Sequence, residues 1–173
     1  FDNAIRLKPD LALAFQARGS AFVKTGQFDK ALADLNEAIR LKPDYVDARH
    51  YRGGVLSLLG KYDRAIADFD EVIRLDPMHL KAYYNRGNVY VKLGQDDRAI
   101  ADYSAVIRLN PNDIEASYNR GALYFQKGEY ERAIVDFDTA IRTKKDFASP
   151  YIARGASRFI LGRYREAAAD FEQ

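Results

Sequence analysis

Cysteine is absent from this 173-residue chain, which removes disulfide frameworks and thiolate zinc sites from consideration and leaves the redox compartment open. Long apolar runs are also missing. None approaches the ~20 residues a bilayer-crossing helix needs, and no basic, apolar leader opens the chain, so no membrane insertion is expected and no compartment is indicated. Neither charge sign dominates: 27 Lys and Arg face 25 Asp and Glu, interleaved throughout, for a net charge of +2. That balance demands no anionic partner. Histidine is scarce, and His50 and His79 have no second histidine or cysteine at ligand spacing. No metal or cofactor is therefore expected. The acids fall in regular registers instead of converging pairs, and no phosphate-cradling glycine loop occurs, so the chain is not read as an enzyme. Strand signals are absent as well. What remains is ordinary folded-protein chemistry, with 47% hydrophobic and 30% charged residues, enough apolar surface for a sizeable core.

Glycine reveals the organisation. Gly19, Gly53, Gly87, Gly121 and Gly155 recur every 34 residues, as do Gly26, Gly60, Gly94, Gly128 and Gly162, and likewise Ala31, Ala65, Ala99, Ala133 and Ala167. A shared period in three registers marks a repeat array. The predicted organisation is one array: a partial repeat over 1–11, full repeats over 12–45, 46–79, 80–113 and 114–147, and a truncated repeat over 148–173. Each unit reads as two helices. In the third, Lys81 to Leu93 is one helix-length segment, Gly94 interrupts, and Asp97 to Leu109 resumes before Pro111. The interrupting glycine suits a left-handed C-terminal position, and Pro9, Pro43, Pro77 and Pro111 end the second helices. Gly19 and its equivalents lie inside a helix, where glycine costs roughly 1 kcal/mol relative to alanine. Close approach of the second helix, through Ala31 and its equivalents, is the expected reason.

The third unit, LKAYYNRGNVYVKLGQDDRAIADYSAVIRLNPND, resembles the tetratricopeptide repeat family. Tyr83, Gly87, Tyr90, Ala99, Tyr103, Val106 and Pro111 stand at the family's signature positions, and the likeness extends over the whole chain. The resemblance implies an all-α fold, a right-handed superhelical solenoid of antiparallel helix-turn-helix repeats whose first helices line a concave groove. It implies a protein–protein interaction scaffold. Departures occur at the fourth junction, where Thr143 and Lys145 replace leucine and proline and Pro150 enters the next helix, and at Asp96 and Arg158.

Two charged registers are unbroken: Arg18, Arg52, Arg86, Arg120 and Arg154, and sixteen residues later Asp34, Asp68, Asp102, Asp136 and Asp170. Pairing across each hairpin is expected, because a guanidinium meets a carboxylate through two parallel bonds. An arginine ladder reading an anionic ligand is the alternative. A third register, Arg6, Arg40, Arg74, Arg108 and Arg142, places cations near the ends of the second helices.

Helical spacing on the first-helix face selects the candidate partner-binding residues: Gln16, His50, Tyr51, Lys81, Tyr84, Asn85, Asn88, Lys92, Tyr118, Asn119 and Phe125. Tyrosines offer broad amphipathic contact, and an asparagine amide can both donate to and accept from a peptide backbone. In family members, asparagines at the register of Asn85 and Asn119 grip ligand backbones; Ala17, Tyr51 and Ala153 interrupt that ladder here. The lysine clamp for chaperone tails is not expected, because Tyr84, Tyr118 and His50 occupy the lysine registers. An extended peptide or partner helix is thus the expected ligand. Alternatives are a substrate-recruiting segment of a larger enzyme and a self-assembling array. Single-stranded nucleic acid is disfavoured, since Asp47 and Glu115 interrupt Lys24, Lys81 and Lys92 on that face. The chain starts and stops within second helices, in the manner of an excised segment, with Phe1, Ile5, Ala168 and Phe171 as apolar positions lacking a neighbour. Self-association through the terminal helices is expected at high concentration.

Overall fold

The computed structural model describes residue 8 and residues 10–173. Expectations placed on Phe1, Ile5, Arg6 and Pro9 fall outside the described residues, which hold ten helices and no strand. In chain order they are α1 (Ala12–Lys24), α2 (Phe28–Leu41), α3 (Val46–Leu58), α4 (Tyr62–Leu75), α5 (Leu80–Lys92), α6 (Asp96–Leu109), α7 (Ile114–Gln126), α8 (Tyr130–Thr143), α9 (Ala148–Ile160) and α10 (Tyr164–Phe171). The odd-numbered members are the first helices of the hairpins. Contacts divide the chain into two compact units, one reaching Val89 and one running from Tyr90 to Gln173.

Each second helix is amphipathic by spacing. In α2, Ala31, Asp34, Leu35, Ala38 and Ile39 are buried, the i, i+3, i+4, i+7, i+8 stripe of a helix packed on one side. The turn before it is fixed by chain chemistry. In the hairpin of α3 and α4, Gly60 has φ of +70°, its N–H donates to the Ser57 carbonyl at 3.1 Å, and the Lys61 N–H reaches the Leu56 carbonyl at 2.8 Å. Those two bonds form a Schellman turn, which satisfies helix-end carbonyls and needs a residue free of left-handed strain. Proline closes the other end: α2, α4 and α6 stop two residues before Pro43, Pro77 and Pro111.

Within the first unit, α1 packs on α2, α3 on α4, and α2 on α3. Ala31, Leu35, Ala38, Ala48 and Val55 form its core, flanked by Phe15, Phe22 and Tyr45. In the second unit α7 packs on α8, α9 on α10, and α8 on α9, around Tyr124, Ala133 and Phe137.

The mid-helix glycines are kept for close packing, but the group that needs the room is not the register alanine. A Cβ at Gly53 would stand 2.9 Å from a Phe69 ring carbon, and one at Gly121 2.8 Å from Phe137. Leu35 does the same to Gly19 at 2.9 Å. The intruder is the large side chain one turn beyond the alanine, and the ring it carries becomes the floor of the site described next.

The fourth junction keeps its length despite Thr143 and Lys145. The bond from the Phe147 N–H to the Lys144 carbonyl is 3.4 Å, against 3.0 Å for Asp113 to Asn110. Pro150 is the third residue of α9, a position whose N–H has no intrahelical acceptor, so the proline is accommodated and buried.

Candidate functional site

The first-helix side of each unit holds a groove. In the first unit it has a volume of about 320 Å³, with His50, Tyr51, Gly54 and Leu58 from α3, Asn85 and Asn88 from α5, and Val23 from α1. Phe69 of α4 is its floor. The Asn85 side-chain amide donates to His50 Nε2 at 3.0 Å, which leaves the imidazole proton on Nδ1. The His50 ring lies 4.9 Å from the His79 ring and 6.1 Å from Phe69. Burial is the main cause that pushes His50 down to about 4, reinforced by His79 and Lys81 and opposed by Asp47. At neutral pH the ring is uncharged. His79 also caps α5, its Nδ1 accepting from the Ala82 N–H at 3.1 Å.

The second unit's groove is larger, about 470 Å³, and its chemistry differs. Tyr118, Ala122, Phe125 and Gln126 of α7 face Ser149, Ile152, Ala153 and Ala156 of α9 over the Phe137 ring. No charged side chain lines it. Tyr118 stacks at a tilt against Phe137 at 5.9 Å and Phe147 at 5.5 Å.

Six of the eleven candidate residues thus line a groove: His50, Tyr51, Asn85 and Asn88 in the first unit, Tyr118 and Phe125 in the second. The other five line neither. Gln16 accepts from the Tyr45 hydroxyl at 3.3 Å, Lys81 and Lys92 are exposed, and Tyr84 and Asn119 are half-buried. Reading first helices alone missed the floors, since Phe69 and Phe137 come from second helices. Their signal was present in the sequence: a large residue sixteen positions after a mid-helix glycine.

Arginine–aspartate pairs form across the hairpins of α1 and α2, α3 and α4, α7 and α8, and α9 and α10. Arg18 grips Asp34 with two bonds of 2.7 Å, Arg52 grips Asp68 at 2.8 and 2.6 Å, and Arg120 grips Asp136 at 2.8 and 2.7 Å. Arg154 holds Asp170 at 2.5 Å. A second contact, unforeseen in the sequence, reaches back to the preceding hairpin: Arg52 to Asn36 at 2.8 Å, Arg120 to Ser104 at 2.9 Å, Arg86 to Asp70 and Arg154 to Asp138. The Arg52, Arg120 and Arg154 guanidiniums are thus struts between successive second helices, occupied by the protein's own oxygens. Arg40 and Arg74 pair instead with Glu37 and Glu71 three residues before them. Arg158 reaches Asp170 at 2.8 Å, a use for the charge that replaced an aromatic side chain.

Among the described residues no group of three or more His, Cys, Asp or Glu could hold a metal ion, and no helix is long and apolar enough to cross a membrane.

Tandem hairpins of one 34-residue period define an all-α helical-repeat solenoid. Two tetratricopeptide repeat models match residues 17–78 and 114–147, and a TPR repeat model matches 87–128. The chain belongs to the tetratricopeptide repeat family, and its class is that of a protein-interaction scaffold. No curated protein sequence matches it. Among solved structures it is similar to MamA from Desulfovibrio magneticus RS-1, with TM-score 0.83 and 26% identity over 93% of this chain and 91% of that one. YrrB, described as a TPR protein with an unusual peptide-binding site, has TM-score 0.85 and 22% identity over 99% and 89%. A tetratricopeptide repeat protein from Parabacteroides merdae has TM-score 0.83 and 24% identity over 93% of this chain and 64% of that one.

Proposed function

We propose that the chain is one continuous repeat array that binds an extended protein segment along its first-helix grooves and performs no chemistry on it. The observation that carries this reading is the pair of open grooves of 320 and 470 Å³, each on the first-helix side of its own unit and within the size range of ligand sites. In the first unit Asn85 and Asn88 supply amides for a peptide backbone, with Tyr51 as an amphipathic wall. Tyr118 and Phe125 act in the second. Lys81, Tyr84, Lys92, Gln16 and Asn119 lie on the same helical face and contact the ligand beyond the grooves. Peptide binding is also what YrrB is described as doing. Nucleic acid is not the proposed ligand, because the arginine register is tied to aspartates and offers no cationic track.

A peptide-display selection on the purified chain, repeated on the Asn85→Ala, Asn88→Ala double variant, tests the reading. Enrichment that weakens in the variant supports it; enrichment indifferent to the variant moves the site elsewhere. A second reading is self-association through the terminal helices. Light scattering at high concentration should then give a mass above the monomer, and a strictly monomeric mass would remove it.

A further inference from the structure

We infer that the groove of the second unit is an apolar anchor site that takes one bulky, uncharged side chain of the bound segment. This rests on the peptide-binding reading above and adds what that peptide must contain.

Register by register, most polar groups of the face are lost in α9, with Ser149 remaining. Ala153 stands where Asn85 and Asn119 stand, Ala156 where Asn88 stands, and Ile152 where Gln16, His50, Tyr84 and Tyr118 stand. Ile160 replaces Lys24, Lys92 and Gln126. A backbone-gripping amide is lost, and two methyl-sized residues open a space above Phe137. Small residues beside an aromatic floor make room for a ligand side chain, and the alanines that line that space offer no partner to a polar or charged atom placed among them. Charge complementarity points the same way, since every lining group is neutral.

The apolar surface is open on the groove side. Ile152 is 59% exposed and Ile160 51%. At Ile160 the exposure belongs to the register: Leu58, at the same position three repeats earlier and followed by further hairpins, is 68% exposed. A contiguous apolar face that stacking does not cover is the kind of surface a partner covers. Covering one large apolar side chain there is worth about tenfold to a hundredfold in affinity.

The test begins with a displayed 12-residue random library selected on the whole chain, followed by a double-mutant cycle. The cycle pairs the enriched peptide and its anchor→Ala version with the parent chain and the exposed-site variant Ile152→Lys. The expected result is a shared Leu, Ile, Met, Phe or Trp, a loss of tenfold or more on anchor→Ala, and little further loss when both changes are combined. Peptides that bind without a shared apolar residue, or losses that simply add, would overturn the anchor while leaving peptide binding in place. No enrichment on any chain removes peptide binding itself. A mass above the monomer that Ile152→Lys abolishes would assign the groove to a second copy and overturn the inference.

Discussion

The two units are built on one frame and differ in what they present on it. Both pin a second-helix ring under a first-helix glycine, Phe69 beneath Gly53 and Phe137 beneath Gly121. Both clamp an arginine on a buried aspartate, Arg52 on Asp68 and Arg120 on Asp136. The first unit then places a neutral histidine and two asparagines over its ring, whereas the second places isoleucine and alanines over the same ring. Residues facing the core are held to one solution by packing, while residues on the groove are free to vary. On the proposed reading, recognition is written in the second set.

The largest expected effect tests the shared frame. Phe69→Ala and Phe137→Ala each remove a fully buried ring and should cost about 3–5 kcal/mol in denaturant unfolding. Similar losses in the two would bear out the common frame; a loss confined to one would break it. Next come the struts. A cycle on Arg120 and Asp136, compared with one on Arg52 and Asp68, should give coupling of roughly 2 kcal/mol in each, since the aspartates are buried and the arginines partly exposed. Coupling near zero would make these pairs surface decoration.

pH should separate the units. Both histidines of the chain belong to the first unit. An unfolded imbalance follows from His50, whose ordinary value of 6.5 falls to about 4 on folding. Between those values the unfolded chain binds the extra proton, so the contribution is complete above pH 6.5 and is lost as pH falls toward 4. With the ring partly exposed, the loss is roughly 2 kcal/mol. Unfolding curves across that range should steepen their pH dependence for the parent chain and flatten for His50→Gln; an unchanged slope would contradict a neutral, enclosed His50. The smallest effect lies at the helix starts. Asp113 caps α7 by accepting from the Ala116 N–H at 2.9 Å, as His79 caps α5, so Asp113→Ala and His79→Ala should each cost about 1 kcal/mol.

Much of the frame was legible because period and backbone chemistry are local. Gly94 and Pro111 bracket α6 to within a residue of its expected limits, and the sixteen-residue interval from Arg52 to Asp68 anticipates a pair formed across a turn. The reach of Arg52 back to Asn36 was not legible, because it depends on how successive second helices lie side by side. The groove was half legible. A helical face identifies which side chains point together, hence His50, Asn85 and Tyr118. It does not say which of them another side chain already occupies, and Gln16 is held by Tyr45. Nor does it reveal a floor contributed by a different helix, as Phe69 and Phe137 are.

The central claim is that the first-helix grooves are the working surface, and side-chain NMR on the whole chain with a display-selected peptide tests it most directly. The account predicts shifts at the Asn85 and Asn88 amides and at the Ile152, Ala153 and Ala156 methyls, with Ala33, Ala67, Ala101 and Val135, exposed on the second helices, unmoved. Movement of those outer methyls while the groove signals stay in place would contradict it.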